Sequence, residues 1–336
     1  IYTVLAKVTV MATGGVGNIY HTTTNPSVAT GDGVAMVHRA KGVIENMEFI
    51  QFHPTSLYNP GERPSFLITE AMRGFGGLLR LQNGKEFMQK YHPMGSLAPR
   101  DVVARSIDHE LKISGEEFVY LDITHKDPKE VMSHFPNIYK KCLSIGIDLT
   151  KDMIPVVPAA HYCCGGIKVN LNGESSIRRL YALGEASSTG LHGGNRLASN
   201  SMMEAAVYAD AAARHAISVI DSIELQRDIP AWDYEGTAVP EEMALITQDY
   251  KEMQQIMTNY VGIVRSDVRL ERAKRRLEII FKETEELYLK STLSQHLCEL
   301  RNMIAVGYLI IKQAEARHES VGLHYSIDYP AKPVEI

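Results

Sequence analysis

The chain has 336 residues, 45% hydrophobic and 22% charged, with a formal net charge of -5. That length predicts about two or three domains, and the mild acidity argues against the strongly basic face of a nucleic-acid-binding protein. No apolar run approaches the roughly 20 residues of a membrane-spanning helix. The four cysteines, Cys142, Cys163, Cys164 and Cys298, lack metal-ligand spacing. The neighbours Cys163 and Cys164 would close only a strained ring, so free thiols in a reducing cytoplasm, and no metal, are expected.

Residues 4–12, VLAKVTVMA, alternate and are β-branched, which predicts a strand stopped by the glycines of TGGVG. The chain opens directly on that pattern, without an initiator Met or a targeting pattern, and reads as a fragment. In ATGDGVAMVHRAKG, Asp32 is expected to cap a short helix ending near Gly42. From about residue 46 to 150, short strands, Pro/Gly turns and two helices, near 99–112 and 127–145, read as an α+β insertion. Residues 166–184 predict a strand, an Asn-Gly turn and a second strand. A long Ala-rich helix follows, starting at Ser199 or Asn200. Beyond about residue 240, three segments with apolar residues at helical spacing predict a small antiparallel bundle. The basic run LERAKRRLEII within it is interleaved with Glu and apolar residues, as on a solvated bundle face.

Several stretches could carry chemistry. His53, in FIQFHPTSLYNP, and His161, in PVVPAAHYCCGGIKV, each stand where a strand-like run meets a loop. Alone, either histidine reads more often as a packed or exposed bystander than as a ligand. In FLITEAMRGFGGLL, Thr69, Glu70 and Arg73 share one turn, and Glu70 and Arg73 are spaced to pair. The pair is either a surface ion pair or a carboxylate between arginines that passes protons. In YALGEASSTGLHGGNRLASNSMMEAAV a strand ends at Glu185, a Gly/Ser loop carries His192 and Arg196, and a helix begins. A strand, glycine loop and helix N-terminus suit an anion, yet neither GxxxxGK[ST] nor GxGxxG is present. An anionic flavin edge would suit the place. His53, His161 and Arg196, with Thr69, could hold a ligand with two carboxylates. LAPRDVVARSIDHEL puts Arg100 in the first turn of a helix, where the dipole disfavours a cation by about 0.3–1 kcal/mol.

In order, MATGGVGNIY, TGDGVAM, EFIQFHPT, LITEAMRG, LAPRDVVAR, PAAHYCCGGIKV, LYALGEASSTGLHGGNRLASNS and ESVGLHYSIDYP resemble the flavoprotein family of succinate dehydrogenase, fumarate reductase and L-aspartate oxidase. The resemblance spans essentially the whole chain. PAAHYCCGG is similar to the PAAHYTCGG of the L-aspartate oxidase branch, where the succinate dehydrogenase branch has HYNMGG. NRLASNS likewise replaces the usual NRLGANS, and the chain stops soon after YSIDYP, without the longer tail of the dehydrogenase subunits.

The resemblance implies an α/β and α+β multidomain fold: an incomplete, Rossmann-like FAD-binding domain at 1–45 and 162–216, a capping substrate domain at 46–161 inserted in it, and a C-terminal helical bundle at 217–336. It matches Arg100 to the catalytic arginine that exchanges a proton with substrate. Glu70 and Arg73 match the relay behind that arginine, a role less firmly tied to aspartate oxidases than to fumarate reductases. His53, Thr69, Glu70, His161 and Arg196 match positions lining a dicarboxylate pocket. Asp32, Glu185, Ser201 and Met202 match positions that touch FAD. Two departures stand out. Phe75 replaces the Glu of RGEGA, and the N-terminal βαβ unit with GxGxxG is absent, together with an acidic residue that aspartate oxidases carry there.

The implied activity is FAD-dependent oxidation of L-aspartate to iminoaspartate, feeding quinolinate and NAD synthesis, with reoxidation by O2 or fumarate. FAD is expected to be non-covalent, and weakly bound or absent in a fragment. The implied partners are aspartate or fumarate-type dicarboxylates and quinolinate synthase, with no nucleic acid or membrane. The alternatives are a fumarate reductase or succinate dehydrogenase subunit, or a non-catalytic fragment.

Arginine has a pKa above about 12. A helix-dipole effect of about 1–2 kcal/mol shifts that by roughly one unit, so the field alone cannot make Arg100 neutral. Its proton has to move in concert with the hydride or be replaced through Glu70 and Arg73.

Overall fold

The computed structural model describes residues 1–239 and 243–330. In chain order its elements are β1 (Thr9–Met11), α1 (Asp32–Arg39), β2 (Ile44–Glu45), β3 (Ile50–Leu57), α2 (Glu70–Gly74), β4 (Leu78–Arg80), α3 (Arg100–Ser114), β5 (Val119–Asp122), α4 (Pro128–His134) and α5 (Pro136–Leu143). There follow β6 (Ile154–Cys163), β7 (Gly166–Lys168), β8 (Leu180–Ala182), β9 (Ser187–Ser188), α6 (Asn200–Val219), α7 (Met243–Tyr260), α8 (Asp267–Lys290) and α9 (Gln295–Ala316). The chain divides into two compact units: Ile1–His21, Ser27–Gln51 and Tyr162–Ile336 form the first, Thr22–Pro26 and Phe52–His161 the second.

In the second unit β3, β6, β5 and β4 lie side by side in that order, with β6, β5 and β4 antiparallel. Leu57, Leu79, Leu121 and Val156 of the sheet share a core with Ile68, Met72, Val103 and Ile107. Helix α3 turns Val103, Ala104 and Ile107 inward, a spacing of three to four that gives a helix one apolar stripe. It ends at Gly115, whose φ of 75° is the left-handed conformation that closes a helix without a Cβ penalty. The expected helix at 127–145 is two, α4 and α5. Pro136 disfavours helical backbone at Phe135, whose φ and ψ are -128° and 51°.

In the first unit β1 pairs in parallel with β8, β7 stands between β2 and β9, and the three C-terminal helices pack on one another, as the periodicity predicts. The core seam of α9 is Leu300, Met303, Ile304, Gly307 and Ile311. The strand expected at 4–12 is only Thr9–Met11, since those residues alone find a ladder partner in β8. The strands flanking the Asn172-Gly173 turn enter different sheets, β7 beside β2 and β8 beside β1. Asp32 is not the cap of α1. Gly31, with φ 78°, takes that place, and Asp32 Oδ1 accepts from Thr30 Oγ1 at 3.0 Å and Asn302 Nδ2 at 2.7 Å. Ser199 precedes α6 but has φ 71° and makes no side-chain cap.

Candidate active site

In the second unit the neighbouring strands β3 and β6 carry His53 and His161, whose rings meet edge to face with centroids 5.6 Å apart. His53 is 3% exposed, and its Nδ1 accepts from the Thr55 amide at 3.3 Å. Burial, then His161 and Arg100, push its pKa down to about 3, so the ring is neutral at ordinary pH. Thr24 Oγ1 lies 2.7 Å from His161 Nδ1.

Beside them Thr69 caps α2 by accepting from the Ala71 amide. The cap sets Glu70 on the first turn and Arg73 one turn on. Glu70 Oε1 is 2.7 Å from Arg73 Nη2 and Glu70 Oε2 is 2.5 Å from Arg100 Nη2, so one carboxylate bridges two guanidiniums. Arg73 is 1% exposed and also donates to the carbonyls of Ser96 and Ala98. Burial lowers its pKa. Arg100 is the first residue of α3, with Pro99 before it and no side-chain cap. Its contact with Glu70 offsets the dipole penalty that its position carries. Phe75 packs on the rings of His134, 4.7 Å away, and Phe135, 5.5 Å away, so the position that holds Glu in RGEGA is aromatic packing here.

In the first unit Arg196 is 8% exposed. It donates to Gln51 Oε1 at 3.1 Å and Ser201 Oγ at 3.3 Å, and its guanidinium lies 4.4 Å from the Tyr162 ring centroid. The Tyr162 hydroxyl is 3.2 Å from His192 Nε2, which in turn lies 2.7 Å from Glu204 Oε2. Thr189 also donates to Glu204, leaving that buried carboxylate well satisfied. Sequence reasoning did not single out Gln51, Tyr162 or Glu204, because their partners lie far along the chain and no spacing marks them. Met202 is exposed at the start of α6.

Glu185 receives the Cys163 amide at 2.9 Å, and burial pushes its carboxyl up to about 7. A Cβ on Gly15 would come within 2.2 Å of Glu185 Oε1, and one on Gly33 within 2.2 Å of Thr13 Oγ1, a buried hydroxyl without a hydrogen-bond partner. A carboxyl able to donate or accept near neutrality, a spare buried hydroxyl and bare glycine backbone against both fit the hydroxyl-rich chain of a flavin nucleotide.

A family model described as FAD binding domain matches residues 1–202. The chain belongs to the FAD binding domain family. A second model, described as fumarate reductase flavoprotein C-term, matches residues 250–333. An L-aspartate oxidase of Yersinia pestis is 49% identical over 97% of this chain and 61% of its own length. One of Pseudomonas aeruginosa is 48% identical over 97% of this chain and 60% of its own. An E. coli quinol fumarate reductase structure, 30% identical, superposes with a TM-score of 0.80 over 98% of this chain and 62% of that one. The flavoprotein fold implied by the motifs therefore holds for this chain, which spans about three fifths of the length of these relatives.

Proposed function

We propose that the protein serves the FAD-dependent oxidation of L-aspartate to iminoaspartate, the entry step of NAD synthesis. The observation that carries this reading is the 49% identity to an L-aspartate oxidase across 97% of the chain. In this reading residues 46–161 act as the capping domain, 217–336 as the helical bundle and the remainder as the FAD-binding domain. Asp32, Glu185, Ser201 and Met202 would hold FAD non-covalently. Bound FAD would supply the two-electron acceptor for the Cα hydride, with O2 or fumarate as the final oxidant.

The chain's own residues supply binding and proton handling. His53, Thr69, His161 and Arg196 bind carboxylates. The neutral His53 donates or accepts a hydrogen bond without adding charge, whereas Arg196 supplies the cation and a planar fork. Aspartate loses a hydride from Cα and a proton from its amine, the proton going to solvent. When fumarate is reduced instead, an Arg100 N–H gives a proton to the carbon that does not receive hydride. Glu70, bridged to Arg100 and Arg73, returns a proton so that no neutral arginine accumulates. A reducing cytoplasm, and transfer of iminoaspartate to quinolinate synthase, complete the proposal; all four cysteines are free thiols, and among the described residues no helix is long and apolar enough to cross a membrane.

The experiment is aspartate-dependent hydrogen peroxide formation by the flavin-loaded enzyme. Dye reduction by succinate without any peroxide from aspartate would favour the second reading, a fumarate reductase flavoprotein subunit, which the TM-score of 0.80 supports. Neither activity, and no absorbance near 450 nm after FAD is added, would leave a non-catalytic chain.

A further inference from the structure

The closing motif ESVGLHYSIDYP has no role in the chemistry above, yet its backbone makes close contacts within the first unit. Gly322 has φ 56°, and a Cβ there would come within 2.3 Å of the Gly194 carbonyl oxygen. The next residue, Leu323, donates its amide to that same oxygen at 2.9 Å. Its side chain packs against Phe49, Tyr162 and Cys164. Gly194 is two residues before Arg196, and the Tyr162 ring lies under the Arg196 guanidinium. The turn thus reaches Arg196 by two routes, one through the backbone and one through the ring.

The turn is itself bolted down. His324 and Val321 exchange backbone hydrogen bonds, and the Ser326 amide donates to Ser320 Oγ. Arg265, fully buried, donates from Nη1 to His324 Nδ1 at 2.9 Å and to the Glu48 carbonyl at 2.8 Å. Its backbone pairs with Tyr325 and Ile327. Burial, with Arg265 beside it, pushes His324 down to about 3, which keeps Nδ1 free to accept. A carbonyl oxygen within van der Waals reach of a glycine Cα leaves the loop little freedom to shift.

We infer that the turn at residues 320–326 is a positioning element for the carboxylate-binding arginine. Gly322 and Leu323 brace the 190–197 loop and the Tyr162 ring so that Arg196 presents its fork in one orientation. The inference rests on the proposed role of Arg196. A guanidinium that is correctly charged but free to tilt binds a carboxylate through one hydrogen bond instead of two, and affinity falls before turnover does.

The test uses the flavin-loaded enzyme, with succinate as the equilibrium probe and aspartate as the substrate. Leu323→Ala is expected to raise the succinate Kd and the aspartate KM about tenfold with kcat within about twofold, the pattern of lost uniform binding. Leu323→Met, which refills the contact, restores both constants. Gly322→Ala is expected to do at least as much as Leu323→Ala; if it does not fold, Leu323→Ala decides. A folded Leu323→Ala enzyme with a lowered Tm and unchanged Kd and KM overturns the inference, because that is what packing alone would do. Arg196→Ala separates the two levels. If it leaves the succinate Kd unchanged, the role of Arg196 falls and the inference with it; if it abolishes binding while Leu323→Ala has no effect, the inference alone falls.

Discussion

Two arginines, one in each unit, are almost wholly buried: Arg73 at 1% and Arg265 at 0% exposed. Both have pKa values lowered by burial, and both donate to backbone carbonyls, Arg73 to Ser96 and Ala98, Arg265 to Glu48, Val261 and Gly262. They differ in the side chain at the end of the fork. Arg73 meets Glu70, a carboxylate whose other oxygen holds Arg100, so its charge is part of an ion-pair chain. Arg265 meets the neutral ring of His324 and ties the ends of two segments together. A buried guanidinium is costly in either setting. What it does there depends on whether its partner is a shared carboxylate or a neutral ring.

The largest effect expected from this contrast is on Arg100. In the proposed enzyme Arg100→Lys keeps a charge but not the bridged fork, and fumarate reduction should fall by about 10²–10⁴-fold in kcat, the usual worth of a positioned acid; near-normal rates in a reduced-dye assay would sink its assignment. Arg265→Met should instead act on stability. Three carbonyls and one imidazole lose their donor, and about 3 kcal/mol should be lost in urea denaturation. If Arg265→Met proves as stable as the parent, Arg265 is not the bolt described.

Glu185 offers a pH test within the first unit. Its folded pKa of about 7 lies above the ordinary 4.5, so the folded state holds the proton more tightly. That stability is full below about pH 4.5 and is lost as pH rises through 7, up to about 3 kcal/mol in all. Glu185→Gln should therefore gain stability relative to the parent at pH 8 compared with pH 5; equal denaturation midpoints for the pair at both values would contradict the burial argument. His53 and His324, both pushed down to about 3, act oppositely, since their contribution is full above about pH 6.5 and fades as pH falls towards 3. The smallest effect belongs to an exposed arginine. Arg214 pairs with Asp210 four residues earlier on open helix surface, and Arg214→Ala should leave the melting temperature within about 1 °C by calorimetry.

Much of the site was legible before any tertiary structure. The three-residue spacing of Glu70 and Arg73 predicts their contact, and the structure has it at 2.7 Å. The apolar residues at helical spacing beyond about residue 240 predict the helices that form. In each case the information is local: a helix places i and i+3 on one face whatever surrounds it. Long-range pairings were invisible, because partners such as Tyr162 and Glu204, or Leu323 and Gly194, are brought together by no periodicity. Strand ends failed for the same reason, as β1 runs only as far as β8 accompanies it.

The sequence by itself determined the element types, the order of the motifs and the family they resemble, all of which are read along the chain. Only the tertiary structure decided that Arg100 shares a carboxylate with Arg73, that Asp32 begins rather than caps its helix, and that a turn near the end of the chain touches the loop before Arg196. Those facts depend on which backbone groups find partners once the core has closed, and a buried donor or acceptor takes whatever neighbour the packing brings to it.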